Sequence, residues 1–190
     1  FTPLTTHAGA VAHGVPFGPD MSTTDVNTLL DAVHFHGVVF FRDNTLTEEQ
    51  HLAATLQRGG GDIYPLARLR GRTEPNVSVI EDTEQSPPDA DKWHTDVSWD
   101  PEPPTFGSLR MIELPERGGD TAFSSTYAAY DALSEPMKRS LDGLTAWHSM
   151  GDELAFRSKA GDEVVDKTLK LVPGATQPVI GTHPVTGKKF

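Results

Sequence analysis

His94 and Asp96 stand two apart in "WHTDVSWDPEPP", residues 93 to 104, a stretch crowded with tryptophan and proline. Alternate side chains of an extended chain share a face, so this spacing predicts a strand on which His94 and Asp96 converge while Thr95 points away. A neutral imidazole nitrogen and a carboxylate oxygen, joined by a second histidine from elsewhere, make the facial triad that holds ferrous iron. That triad leaves coordination positions open, which is what oxygen chemistry needs. The plainer alternative is a hydrogen-bonded pair on a strand with no metal, and the triplet alone does not exclude it.

Composition narrows the chemistry further. The chain has no cysteine, so any metal must be held by His, Asp or Glu, and disulfide, zinc-thiolate and cysteine-nucleophile chemistry drop out. Sixteen basic against 27 acidic residues give a net charge of -11, which repels a phosphate backbone, so no nucleic-acid partner is expected. The longest apolar run, Gly37 to Phe41, is far too short to cross a bilayer, and a soluble cytoplasmic protein without a membrane partner is expected. A length of 190 residues with 36% apolar and 23% charged content suits one globular domain over residues 1–190.

The elements that must position the pair are only partly visible. Ser22 to Asp25 offer caps, and Val26, Leu29, Leu30 and Val33 make an apolar stripe, which predicts a helix ended by Gly37. Val38 to Arg42 read as a buried strand, and Thr47 to Gln50 as a capping box opening a second helix stopped at Gly59-Gly60-Gly61. The residues before Met21 read as loop. Val77 to Ile80, Phe106 to Leu114 and Gln177 to Thr182 are strand candidates, while Ser125 or Thr126 and Ser134-Glu135-Pro136 start short helices. Short strands with helices near the start and middle predict an α+β domain built on a β-sandwich or barrel.

Beyond the triplet, "WHTDVSWDPEPP" followed by "LPERGGDTAFSSTYAAYDALSEP" resembles, in order and spacing, the TauD/TfdA family of iron- and 2-oxoglutarate-dependent dioxygenases. "HFHGVVFFRDNTLTEEQ" and "QPVIGTHPVTGKKF" extend the likeness over nearly the whole chain. The resemblance implies a double-stranded β-helix (jelly roll) with flanking and inserted helices. It implies Fe(II), 2-oxoglutarate and O2 as cofactor and co-substrates, with His94 and Asp96 as iron ligands and Thr121 bonding 2-oxoglutarate. Val97 matches a position lining the family's substrate pocket, and Trp93 and Trp99 either join it or pack. The activity so implied is hydroxylation of a small organic substrate, taurine or another sulfonate or sulfate compound, with release of succinate and CO2. A homo-oligomer, dimer or tetramer, is the expected assembly.

The departures from the family pattern shape the expectation equally. The family's second histidine ligand and its 2-oxoglutarate-binding arginine fall beyond Phe190, so the chain is expected to lack the C-terminal part of the family domain. Where taurine-specific enzymes carry a histidine and an asparagine for the substrate, this sequence has Tyr64 and Ala90. A site deprived of such hydrogen-bonding partners discriminates poorly for the old ligand, so taurine need not be the substrate. Two alternatives stay open: a jelly-roll binding protein that has lost iron, and an oxygenase acting on a non-sulfonate. A halogenating relative would need a small residue in place of Asp96.

The remaining residues that catch the eye have plainer readings. His34-x-His36 closes a helix, where histidines suit the dipole; Gly59-Gly60-Gly61 lacks the Lys-Ser/Thr of a phosphate loop. Glu113, Glu116 and Asp120 read as a solvated turn, and His148 and His183 as structural or exposed.

Overall fold

The computed structural model describes residues 1–57, 61, 63–64, 67–68, 71–83, 92–150 and 162–190. They fall into two compact units: Phe1–Gly60, Ser108–Leu144 and Pro178–Phe190 in the first, Gly61–Gly107 and Thr145–Gln177 in the second.

The first unit is organised around helix α1, Thr23–His36. Ser22 caps it, its hydroxyl accepting from the Asp25 amide at 3.1 Å while the Asp25 carboxylate accepts from the Ser22 amide at 3.3 Å. Three residues of the predicted stripe, Val26, Leu29 and Leu30, are buried at no more than 9% exposure, the fourth, Val33, is half-buried, and Ala32 joins the buried face. The helix stops where Gly37 takes φ 75°, a left-handed conformation that costs glycine nothing, and donates its amide back to the Val33 carbonyl.

Strand β1, Thr2–Pro3, pairs antiparallel with β2, Ala10–Val11, and β2 runs parallel to β3, Val39–Phe40, with Ala10 opposite Val39. A parallel pair needs a long crossover, and α1 is that crossover. Thus the first twenty residues are not plain loop, and the strand expected over Val38 to Arg42 is two residues long. Helix α2, Glu48–Leu56, opens on the expected capping box of Thr47 and Gln50. Helices α3, Thr126–Ala132, and α4, Glu135–Leu141, start from Ser125 and Ser134. In this unit the 181–190 segment doubles back, with Gly181 and Phe190 exchanging backbone hydrogen bonds of 2.9 and 3.1 Å. Lys188 lies over the rings of both Phe35 and Tyr127 at 5.4 Å.

The second unit contains β4, Thr145–His148, paired with β5, Ala175–Pro178, which belongs to this unit as far as Gln177, and helix α5, Asp162–Leu171. Met150, Val172 and Ala175 are buried here. Gly174 enters β5 at φ 109°, and a Cβ there would lie 2.5 Å from the His148 carbonyl oxygen and 2.8 Å from the Trp147 ring, so the close approach of these strands requires glycine.

Two expected strands do not form. Val77 to Ile80 and Phe106 to Leu114 have irregular backbone, with Ile80 80% and Ile112 66% exposed. A strand exists only through a partner's backbone, and among the described residues neither segment has one. The Gly59-Gly60 part of the expected helix stop lies outside the described residues. Also among them, no helix is long and apolar enough to cross a membrane.

Candidate functional site

His94 and Asp96 are brought together, though not by a strand. The chain from Lys92 to Thr95 is irregular, and Asp96 to Trp99 form a turn in which the Asp100 amide donates to the Val97 carbonyl at 2.9 Å. Val97 sits inside it at φ 56°, which reverses the chain locally. The two side chains therefore approach through a turn and not through strand alternation: a proline-rich stretch favours a turn over a ladder.

The pair's geometry fits a shared cation. His94 Nε2 lies 3.4 Å from Asp96 Oδ1. The other ring nitrogen, Nδ1, lies 2.8 Å from the Lys92 carbonyl oxygen. A carbonyl only accepts, so the neutral ring carries its proton on Nδ1 and presents a lone pair at Nε2. Nε2 and a carboxylate oxygen then face each other with lone pairs, an arrangement that a proton or a metal ion between them stabilises. Neighbouring ligands on a cation with bonds of about 2.1 Å stand about 3 Å apart, close to what is found. Both side chains are open, 56% and 81% exposed, so water and small co-ligands can reach the spot. Among the described residues no third His, Asp or Glu joins them.

Around the pair, Tyr64 stacks obliquely on Trp99, ring centroids 6.2 Å apart, while Val97 and Trp99 are half-buried and Trp93 is 74% exposed. Thr121 is exposed on irregular backbone and belongs to the first unit, whereas His94, Asp96, Val97 and Tyr64 belong to the second. Ala90 lies outside the described residues.

Sequence reasoning missed what holds the turn. The Gln177 side-chain amide on β5 donates to the carbonyls of Ser98, at 3.2 Å, and Asp100, at 2.9 Å. His148 Nδ1 on β4 lies 2.9 Å from the Ser98 hydroxyl. These partners are 50 to 79 residues away along the chain, and no local pattern links them.

The remaining histidines sit in the first unit. Burial, and then the Arg110 charge, holds the His51 pKa below its ordinary value; burial, and then His34, does the same for His183. The His183 ring meets His34 edge-on at 5.2 Å, and its Nδ1 accepts from the amides of Val185 and Thr186 at 3.2 and 3.1 Å. Its structural reading therefore stands.

Comparison with known proteins agrees with these motifs. The profile of the taurine catabolism dioxygenase TauD, TfdA family matches residues 1–190. The alpha-ketoglutarate-dependent sulfate ester dioxygenase of Pseudomonas putida is 29% identical over 98% of this chain, which spans 63% of that protein. The alkylsulfatase of Acinetobacter baylyi is 30% identical over 98% of this chain, which spans 60% of it. The crystal structure of a taurine dioxygenase from Burkholderia xenovorans superposes with a TM-score of 0.68 at 28% identity, covering 99% of this chain and 60% of that one. With a match from its first residue to its last, this chain belongs to the taurine catabolism dioxygenase TauD, TfdA family.

Proposed function

We propose that this chain carries the metal-binding part of an Fe(II)- and 2-oxoglutarate-dependent dioxygenase. It would hydroxylate a small sulfonate or sulfate-ester substrate, taurine among the candidates. The observation that carries the reading is the 3.4 Å approach of His94 Nε2 to Asp96 Oδ1, with the ring proton held on Nδ1. Two relatives matched over 98% of the chain are named for sulfate esters or alkyl sulfates, which favours that substrate class. The reaction consumes substrate, 2-oxoglutarate and O2 and yields hydroxylated substrate, succinate and CO2. Where the hydroxylated carbon bears the sulfonate or sulfate oxygen, the product collapses and releases that group.

In this reading His94 and Asp96 hold the iron, together with a further donor that the described residues do not supply. When bound, the iron supplies the oxygen-activating chemistry. The Lys92 carbonyl keeps the His94 proton off Nε2, and the Asp96 carboxylate offsets part of the cation's charge. Thr121 hydrogen-bonds 2-oxoglutarate. Val97 and Tyr64 line the substrate side, where the Tyr64–Trp99 ring pair offers an apolar surface. Residues 1–190 are read as one jelly-roll domain of a cytoplasmic homo-oligomer, with no nucleic-acid or membrane partner; the net charge of -11 supports the exclusion of nucleic acid.

The test is an anaerobic titration with ferrous iron and 2-oxoglutarate, followed by the visible charge-transfer absorption of the chelated complex. The band appears and is lost in His94→Ala and Asp96→Ala; turnover is then screened with taurine, alkyl sulfonates and alkyl sulfates. No band in the unsubstituted protein means a jelly-roll binding protein without iron, a second reading supported by the lack of a third His, Asp or Glu beside the pair among the described residues.

A further inference from the structure

We infer that Gln177 and His148 are positioning residues for the His94–Asp96 pair. They set the metal affinity of the site without touching the metal. The inference rests on reading that pair as metal ligands, and all the residues it uses lie in the second unit.

The ligand pair ends at Asp96 and the turn begins there, so whatever fixes the turn fixes where the carboxylate stands relative to the imidazole. The turn's own bonds are short-range: Asp100 amide to Val97 carbonyl, and Glu102 amide to Asp100 Oδ1, both 2.9 Å. These define its shape and leave its placement free. Placement comes from the β4–β5 ribbon. On each strand alternate residues turn inward, Ala146 and His148 on β4, Ala175 and Gln177 on β5, and the two polar ones meet the turn.

Gln177 is suited to the task chemically. Its amide nitrogen carries two hydrogens, and the two carbonyls it reaches, Ser98 and Asp100, use one each. Two bonds from one planar group fix orientation as well as distance, which a single bond does not. His148 adds a third tie through the Ser98 hydroxyl. Bonds made directly to metal ligands change metal affinity by about 10- to 100-fold when removed, and these ties act one step further out, through the turn, so the low end of that range is their ceiling.

The experiment is Mn(II) binding by calorimetry, Mn(II) serving as a redox-inert stand-in for ferrous iron, alongside thermal unfolding of the metal-free protein. Gln177→Met keeps the size and removes both donors; Mn(II) binding is expected to weaken by up to about 10-fold. Gln177→His retains one N–H donor and falls between Gln177→Met and the parent. Ser98→Ala, which removes only the His148 tie, gives a smaller loss. Metal-free unfolding temperatures stay close to the parent's in at least one of these variants, separating positioning from folding. Parental affinity in Gln177→Met, with binding still abolished in His94→Ala, overturns this inference alone. Weakening that tracks loss of metal-free stability in every variant overturns it too. No Mn(II) binding by the parent overturns the ligand reading and this inference with it.

Discussion

His51 Nε2 lies 2.8 Å from the hydroxyl oxygen of Ser108, which in turn lies 2.7 Å from Thr55 Oγ1. The Thr55 hydroxyl donates to the His51 carbonyl at 2.9 Å, so its proton is committed. Ser108 therefore donates to Thr55, and His51 Nε2–H donates to Ser108. The direction matters, because a histidine that donates to a serine is not its general base. The contact is a lock between α2 and the segment starting at Ser108.

Breaking that lock has a defined cost. Ser108→Ala leaves the Nε2–H of a histidine only 5% exposed without its partner, and is expected to lower folding stability by about 1–3 kcal/mol. Urea unfolding measures it; an unchanged midpoint would show that water replaces the hydroxyl at no cost.

The same histidine predicts a pH dependence. Among the described residues His51 Nδ1 is buried without a hydrogen-bond partner, and burial, reinforced by Arg110, lowers its pKa below the ordinary 6.5. As pH falls below 6.5 the unfolded chain takes up this proton while the folded chain resists it, so stability is full above 6.5 and declines below. His183, also lowered, contributes with the same sign. Urea unfolding at about pH 7.5 and about pH 5.5, a window above most carboxylate titration, should show the loss. His51→Gln should shrink it, and an equal pH slope in that variant would remove His51 from the explanation.

What the sequence could and could not reveal follows from how far each interaction reaches along the chain. The helix starts at Ser22, Thr47, Ser125 and Ser134 were readable because a cap and the amide it satisfies are three residues apart. The His94-x-Asp96 pair was readable as a motif, but what brings its side chains together was not: a turn held by Gln177 and His148 leaves no periodic trace. Phe106 to Leu114 shows the opposite failure. Its composition is that of a strand, yet composition supplies no partner, and among the described residues it stays unpaired. Strands β1 and β2 went unread because two residues carry no period.

Val97 offers the last prediction, because it combines strain with the site. A β-branched residue at φ 56° occupies a region that costs non-glycine residues about 1–2 kcal/mol, and Val97 directly follows Asp96. Asparagine tolerates that conformation without the extra chain entropy of glycine, so Val97→Asn should raise folding stability by about 1 kcal/mol. Val97→Gly should gain less, since glycine's entropy offsets part of the relief by about 0.5–1 kcal/mol. If the valine side chain lines the substrate pocket, the stabilised Val97→Asn variant should also need more substrate for half-maximal turnover. Unfolding and steady-state kinetics on one preparation separate the two effects. A gain in stability at the expense of substrate binding would mean the strain is retained because the apolar side chain is needed there; a loss of stability would mean that Val97 is held by packing, and the backbone carries no strain for asparagine to relieve.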